Sequence, residues 1–451
     1  MPTLIKSLEG NDLLIAMEEP PPPESHALAI GIAGQGFDGN LTSDSTRLDG
    51  YVLSTDLAPT ILRRFGLAVP SEMSGEPIRT ERDVDAAAVA SLGDRLVAIP
   101  ERRGPVIGLT LLIWSAALGL VALVSRGRAA RFGVRLAGIS LVYLPFLLLL
   151  AAALTPSLCV EQLLAIVGSP ALGLLTLAVL PGYRALATAS AATVLAYAVA
   201  LIAGSSLPSL SLVGPNPGLG ARFFGIGNEL EAILVVLVIA GTGAALTGFL
   251  PGRGPRYAAI CFLASGLLFA FVFAAGRFGA DVGAAIVLPF GAAVAAATIA
   301  ARRQRTALWA LALPVAAVAL LALVDLVSGG NAHLTRSVLD AGGLDGLAEV
   351  AQRRLELSAH SFGRPIVIAV MPLTLLIAGL AVLGRERIAA WVRGRPEMRA
   401  GLLGALVAIL LGALVNDSGG LIVEIGTIYL LAFTGFSWAE SGRPDTARPI
   451  V

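Results

Sequence analysis

Charge is what this sequence has least of. Asp, Glu, Lys and Arg make up 14% of its 451 residues and hydrophobic residues 56%, with a mean hydropathy of +0.81. A soluble domain carries roughly a quarter charged residues, so an ordinary soluble globular chain is excluded. Lysine is almost absent: Lys6 stands alone against 31 arginines. The formal net charge of +1 argues against a polyanion such as nucleic acid as partner. Cysteine is equally scarce, with Cys159 and Cys261 only, and neither has metal-ligand spacing around it. No metal site and no cofactor are indicated, and the two cysteines read as small apolar side chains.

What is present in quantity is the long apolar run. From Pro105 onward such runs recur at the length a bilayer requires. They predict eleven transmembrane helices near 105–124, 136–154, 163–180, 185–203, 229–248, 257–275, 281–300, 307–327, 365–383, 400–415 and 419–437. The loops between them alternate in arginine content. One set, with the tail, holds seventeen; the other holds six, namely Arg222, Arg277, Arg336, Arg353, Arg354 and Arg364. Short cytoplasmic loops carry the basic excess, so the C-terminal tail 438–451 is expected in the cytoplasm and the N-terminal part outside. Cys159 and Cys261 then fall near opposite membrane faces, too far apart for a disulfide. The fold class is an all-α polytopic bundle over 104–437, in the cytoplasmic (inner) membrane, with a small α/β extracytoplasmic fragment over 1–103.

That fragment reads as apolar strands at Leu13 to Met17 and Ala27 to Ala33, expected to be buried. The run Pro20 to Pro23 breaks them. A helix begins near Thr55 and Asp56 and ends at Gly66. The stretch LTSDSTRLDGYVLSTDLAPTILRRFGLAVPSEMSGEPI, Leu41 to Ile78, resembles the C-terminal end of a domain of the alkaline phosphatase superfamily. It is most similar to bacterial membrane proteins in which such a domain precedes a multi-helix region. The resemblance implies a truncated, structural piece: in that superfamily the nucleophile and most metal ligands come from earlier segments. With Asp44, Asp49, Asp56 and only His26 nearby, a two-metal phosphatase site cannot be assembled, and neither phosphatase activity nor zinc is expected. Nothing before Pro105 reads as an export signal, so a longer product with an upstream leader is expected.

Four outer pieces carry the polar chemistry. The first is GPNPGLGARFFGIGNELE, Gly214 to Glu231, in which two Pro and five Gly forbid a regular helix as far as Gly227. Asn228 is then expected to cap an apolar helix, delivering Arg222, Glu229 and Glu231 to the membrane edge beside Asn216. The second is GRFGADVG, Gly276 to Gly283, where Arg277 and Asp281 would share a face if helical. The third is Ser328 to Gly363, with His333 and Arg336 ahead of an amphipathic surface helix over Leu344 to Leu357. The fourth is LVNDSGGLIVEIG, Leu414 to Gly426, where Asn416, Asp417 and Ser418 form a turn. Seven residues on, Glu424 would lie on the stripe of Asp417. These phrases are also similar to the membrane region of the same bacterial family, which brings no reaction with it.

Charge within apolar helices is costly and usually functional. The first reading is an envelope protein with an outward-facing polar cavity for an anionic, phosphorylated or lipid-linked ligand, in group transfer or translocation. Arg222, Arg277 and Arg336 would hold phosphate, with Asn216, Asn228, Glu231, Asp281, His333, Asn416 and Ser418 lining the cavity. Glu229, Asp417 and Glu424 would serve as base or coupling groups. A cation- or proton-coupled transporter is the alternative, weakened by an inner half nearly devoid of acids. A non-catalytic accessory subunit of an envelope-building complex is the third. Membrane lipids are the expected partners in every case. In the first reading Arg222, Glu229, Asp417 and Glu424 converge on one cavity.

Overall fold

The computed structural model describes residues 5, 8–10, 12–18, 27–70, 73–124, 127–220, 222–300, 312, 316 and 344–441. The chain divides into two compact units: 1–103 with 209–224, and 104–208 with 225–451.

The first unit holds two antiparallel strand pairs, β1 (Leu13–Met17) with β2 (Ile30–Gly34) and β3 (Asn40–Thr42) with β4 (Arg79–Glu81). Between and after them come the helices α1 (Leu57–Arg64) and α2 (Ala86–Arg103). The first expected strand forms as β1 and the second starts three residues later, at Ile30 rather than Ala27; both are half-exposed, because a lone hairpin has one face with nothing to pack against. Asp56 organises the rest. Its carboxylate is fully buried and accepts from Ser43 Oγ and Ser45 Oγ, both at 2.6 Å, and from the backbone N–H of Leu53 and Glu76, both at 2.9 Å. Four donors satisfy the charge where it lies. Gly75 turns here with φ of +94°, and a Cβ on it would strike the Thr55 carbonyl. Thr60 Oγ1 bonds the Asp56 carbonyl at 2.6 Å and accepts from Ile78 N at 2.8 Å. The phrase from Thr55 to Ile78 is therefore a self-contained brace.

Residues 209–224, expected with the membrane helices, belong to this first unit. Arg95 donates to the Leu210 carbonyl (3.1 Å) and Arg103 to the Gly214 carbonyl (2.5 Å). Arg47 lies 3.8 Å over the Phe224 ring, and Tyr51 packs against Phe223 with centroids 6.2 Å apart.

The second unit is a helical bundle. Its elements are α3 (Leu109–Val124), α4 (Arg128–Leu154), α5 (Leu158–Val179), α6 (Tyr183–Ile202), α7 (Asn228–Phe249), α8 (Pro255–Ala274) and α9 (Val282–Ala300). After these come α10 (Leu344–Ser361), α11 (Pro365–Leu383), α12 (Arg385–Trp391), α13 (Pro396–Val415) and α14 (Gly419–Glu440). Among the described residues ten helical segments are long and apolar enough to cross a membrane, the first spanning Ala86–Val124. The eleventh expected span, 307–327, lies outside the described residues. α7 and α13 are central: α13 packs on α7, α9 and α14, and α7 on α6. Gly404 lets α13 approach Gly291 of α9 so closely that a Cβ would sit 2.5 Å from its carbonyl, as small residues allow between apolar helices.

Pro145 stands inside α4. Its missing N–H leaves the Leu141 carbonyl without its usual donor. Tyr429 of α14, buried, supplies one: its hydroxyl donates to that carbonyl at 3.2 Å. A helix break that apolar surroundings would penalise is thus repaired by a neighbouring helix.

Candidate functional site

The site lies in the second unit, where the N-terminus of α7 meets the turn between α13 and α14. α7 opens at Asn228 after Gly227, whose extended backbone is the cap position. Asn228 does not cap its own helix, contrary to expectation. Its side-chain amide instead donates to Asp417 Oδ1. Ser418 Oγ donates to the same oxygen at 3.2 Å and accepts from Arg364 at 3.4 Å. One residue earlier, Asn416 Nδ2 donates to Glu231 Oε2 at 2.9 Å. So two asparagine amides, 188 residues apart in sequence, each hold a carboxylate from the other strand of chain.

Burial increases steeply across this cluster. Asp417 is exposed and Asn228 half-buried, while Ser418, Asn416 and Glu231 keep 7%, 3% and 2% of their surface. Gly283, at the start of α9, is where Asn416 fits: a Cβ there would overlap the amide. α10 braces the turn from another side, Ser358 Oγ donating to the Ala413 carbonyl (2.6 Å) and Ser361 Oγ accepting from Gly420 N (3.0 Å).

Glu424 sits farther along α14. It is 4% exposed, and its Oε1 has no hydrogen-bond partner among the described residues. Asp417 precedes α14 rather than lying on it, so the expected common stripe does not form. Glu424 takes no part in the hydrogen bonds that tie Asn228, Asp417, Ser418, Asn416 and Glu231 together. At the other end of the same helix, Glu440 is buried and paired with Arg135 of α4 at 3.1 Å. The two carboxylates are 16 residues apart, about 24 Å along the axis.

The other expected site residues are distributed differently. Arg222 and Asn216 fall in the first unit, whereas Glu229, Asp417 and Glu424 fall in the second. Asn216 is buried, with φ of +58°. Arg277 and Asp281 do not share a helical face, because the chain turns through Gly279 and Ala280, the latter at φ +52°. Arg277 is exposed, 4.8 Å over the Phe278 ring, while Asp281 is 1% exposed. Glu229 is half-buried in the first turn of α7. His333 and Arg336 lie outside the described residues. The amphipathic segment forms as α10 and runs on to Ser361.

Sequence reasoning missed Arg364, Ser358, Ser361 and Glu440. The serines carried no signal, and Glu440 was hidden in what reads as the start of a polar tail. Among the described residues no group of three His, Cys, Asp or Glu side chains is placed to hold a metal ion. No family model, curated protein or solved structure matches the chain.

Proposed function

We propose that the chain is a multi-pass membrane protein of the cell envelope that uses protons as coupling ions. Glu424 is its outer protonation site, and the Glu440–Arg135 pair is the corresponding inner group. The observation that carries this reading is the buried Glu424 carboxyl with Oε1 unpartnered in a helix of bilayer length. An ionised carboxylate in apolar surroundings costs several kcal/mol, and a proton is the smallest partner that removes the cost. Glu440 answers the scarcity of inner acids that weighed against transport. The rim of Asp417, Asn228 and Glu229, with Asn416 and Glu231 beneath, forms the outward polar entrance. Outside and inside follow the arginine count: Gly218 and Gly419 external, Arg131 and Arg393 cytoplasmic.

A second reading, an anionic phosphorylated or lipid-linked ligand at the rim, is favoured by Arg364, whose guanidinium reaches Ser418 beside Asp417. Of the arginines first expected to hold phosphate, Arg277 stacks on the Phe278 ring. The N-terminal unit, as the resemblance to the alkaline phosphatase superfamily suggests, is a brace without phosphatase chemistry.

Thermal unfolding of the detergent-solubilised full chain across about pH 5 to 9 tests the proton reading, since any group that exchanges a proton between states makes stability pH-dependent. The expected result is a pH-dependent midpoint that flattens in Glu424→Gln. An identical pH profile in that variant would end the proposal, and a sodium-dependent midpoint at fixed pH would replace the proton by a metal cation.

A further inference from the structure

The arginine-rich end of the bundle carries a second feature that proton coupling does not use. A cavity of about 480 Å³ opens between α3, α4, α12 and α14. That is within the size range of small-molecule sites, roughly 300–1,000 Å³. Its walls are apolar, and three of its lining residues are Trp114, Trp391 and Trp438. The sequence has four tryptophans, and the fourth, Trp309, lies outside the described residues. Every described tryptophan therefore faces one groove. Trp114 spends its indole N–H on the Ile166 carbonyl at 3.0 Å. The indole N–H groups of Trp391 and Trp438 have no acceptor among the described residues. Tryptophan with a free donor over an apolar wall is the residue of the lipid interface.

Beside Trp391, a smaller cavity of about 300 Å³ is lined by Ala389, Val392, Arg393, Gly394, Pro396 and Arg399. The arginines at this end fall into two groups. Arg131, Arg135 and Arg395 are committed: Arg131 to the Trp438 carbonyl and over its ring, Arg135 to Glu440, Arg395 to the Trp391 and Glu440 carbonyls. Arg393 and Arg399 are exposed, and neither side chain makes a hydrogen bond or ion pair among the described residues. Glu386 and Glu397, the acids of this stretch, pair with neither. Gly394, at φ +80°, turns the chain between α12 and α13, and Arg393 and Arg399 line the same cavity.

The geometry points to a binding site for one anionic phospholipid, with its phosphate between Arg393 and Arg399 and an acyl chain in the tryptophan groove. Charge complementarity selects the occupant. An apolar groove alone would accept any lipid tail, whereas two uncommitted arginines lining the cavity that also includes Val392, one residue past Trp391, favour a headgroup with net negative charge. The committed arginines keep the wall of the groove rigid, and the uncommitted pair supplies the selectivity.

Native mass spectrometry of the full chain in mild detergent, titrated with phosphatidylglycerol or phosphatidylcholine of identical acyl chains, tests this. Phosphatidylglycerol is expected to bind the wild type preferentially. The double variant Arg393→Gln, Arg399→Gln is expected to lose roughly thirtyfold in that affinity, with phosphatidylcholine unaffected. Short-chain phosphatidylglycerol, which carries the headgroup without filling the groove, is expected to bind more weakly than the long-chain form. Equal binding of the two headgroups, or unchanged affinity in the double variant, overturns the site. So does an equal loss in Arg253→Gln, Arg256→Gln, two exposed arginines that line neither cavity. Equal affinity for short and long chains removes the groove from it.

Discussion

Asp56 in the first unit and Glu424 in the second are both carboxylates buried to 4% exposure or less, and their surroundings are opposite. Asp56 receives four hydrogen bonds, two from hydroxyls and two from backbone amides. Glu424 has an oxygen with none among the described residues. Burial of an acid is thus not the mark of a working group. The mark is whether the surrounding chain supplies the donors that make the charge tolerable. Asp56 is a keystone whose charge is used up by structure, while Glu424 has an oxygen that the described residues leave without a donor, the basis of the proposed proton site.

The largest effect is expected at Asp56. In Asp56→Ala the Ser43 and Ser45 hydroxyls and the Leu53 and Glu76 amides lose their common acceptor, at about 1–3 kcal/mol for each donor left buried and unsatisfied. The first unit should lose its fold, seen as fast hydrogen exchange and protease cleavage across 40–80. Retained protection would show that the four bonds are dispensable. Glu424→Gln, by contrast, should change stability at neutral pH by no more than about 1 kcal/mol, because the amide is a neutral isostere of the protonated carboxyl and Oε1 has no hydrogen bond to lose. Thermal unfolding of the two variants side by side checks the contrast, and a larger loss at Glu424 than at Asp56 would invert it.

An intermediate effect is expected at Gly283→Ala. The new methyl would overlap the Asn416 amide, so Asn416 must withdraw from Glu231 at a cost of about 1–3 kcal/mol. A lowered unfolding midpoint checks this. Gly283→Ala combined with Asn416→Ala should recover part of the loss, because the clash is gone.

The smallest effect concerns pH in the first unit. Burial raises the Tyr51 phenol above its usual value near 10 by desolvating the phenolate. The folded protein therefore holds this proton to higher pH than the unfolded chain does. Its contribution to stability is complete below about pH 10 and is lost as pH rises through the folded value. The alkaline stability of the first unit, followed by hydrogen exchange, should fall less steeply in Tyr51→Phe. An unchanged slope would assign the loss to other groups.

Much of the bundle could be read from the sequence because hydrophobic length is a local property. The helix starts at Asn228 and Gly419 and the turn Asn416–Ser418 follow from Gly, Pro and Asn at known positions. What could not be read is what depends on contacts distant in sequence. Asn228 looked like a cap because a cap needs only its own helix, whereas its partner Asp417 is 189 positions away. Residues 209–224 looked like a membrane loop. Their membership of the first unit is written in Arg95, Arg103, Arg47 and Tyr51, none of which announces a partner. Arg277 and Asp281 were separated by a positive φ at Ala280, a residue that gives no warning of it. Glu440 gives no signal because α14 continues only three residues, less than one turn, past the apolar run 419–437, to the edge of polar sequence.

The most direct test of the Glu424 proposal is infrared difference spectroscopy of the full chain reconstituted in lipid, comparing acidic with alkaline buffer in wild type and Glu424→Gln. A protonation site at Glu424 gives a carboxylic-acid carbonyl band that disappears on alkalinisation in the wild type and is missing from the variant. The same difference spectrum in both proteins would contradict it.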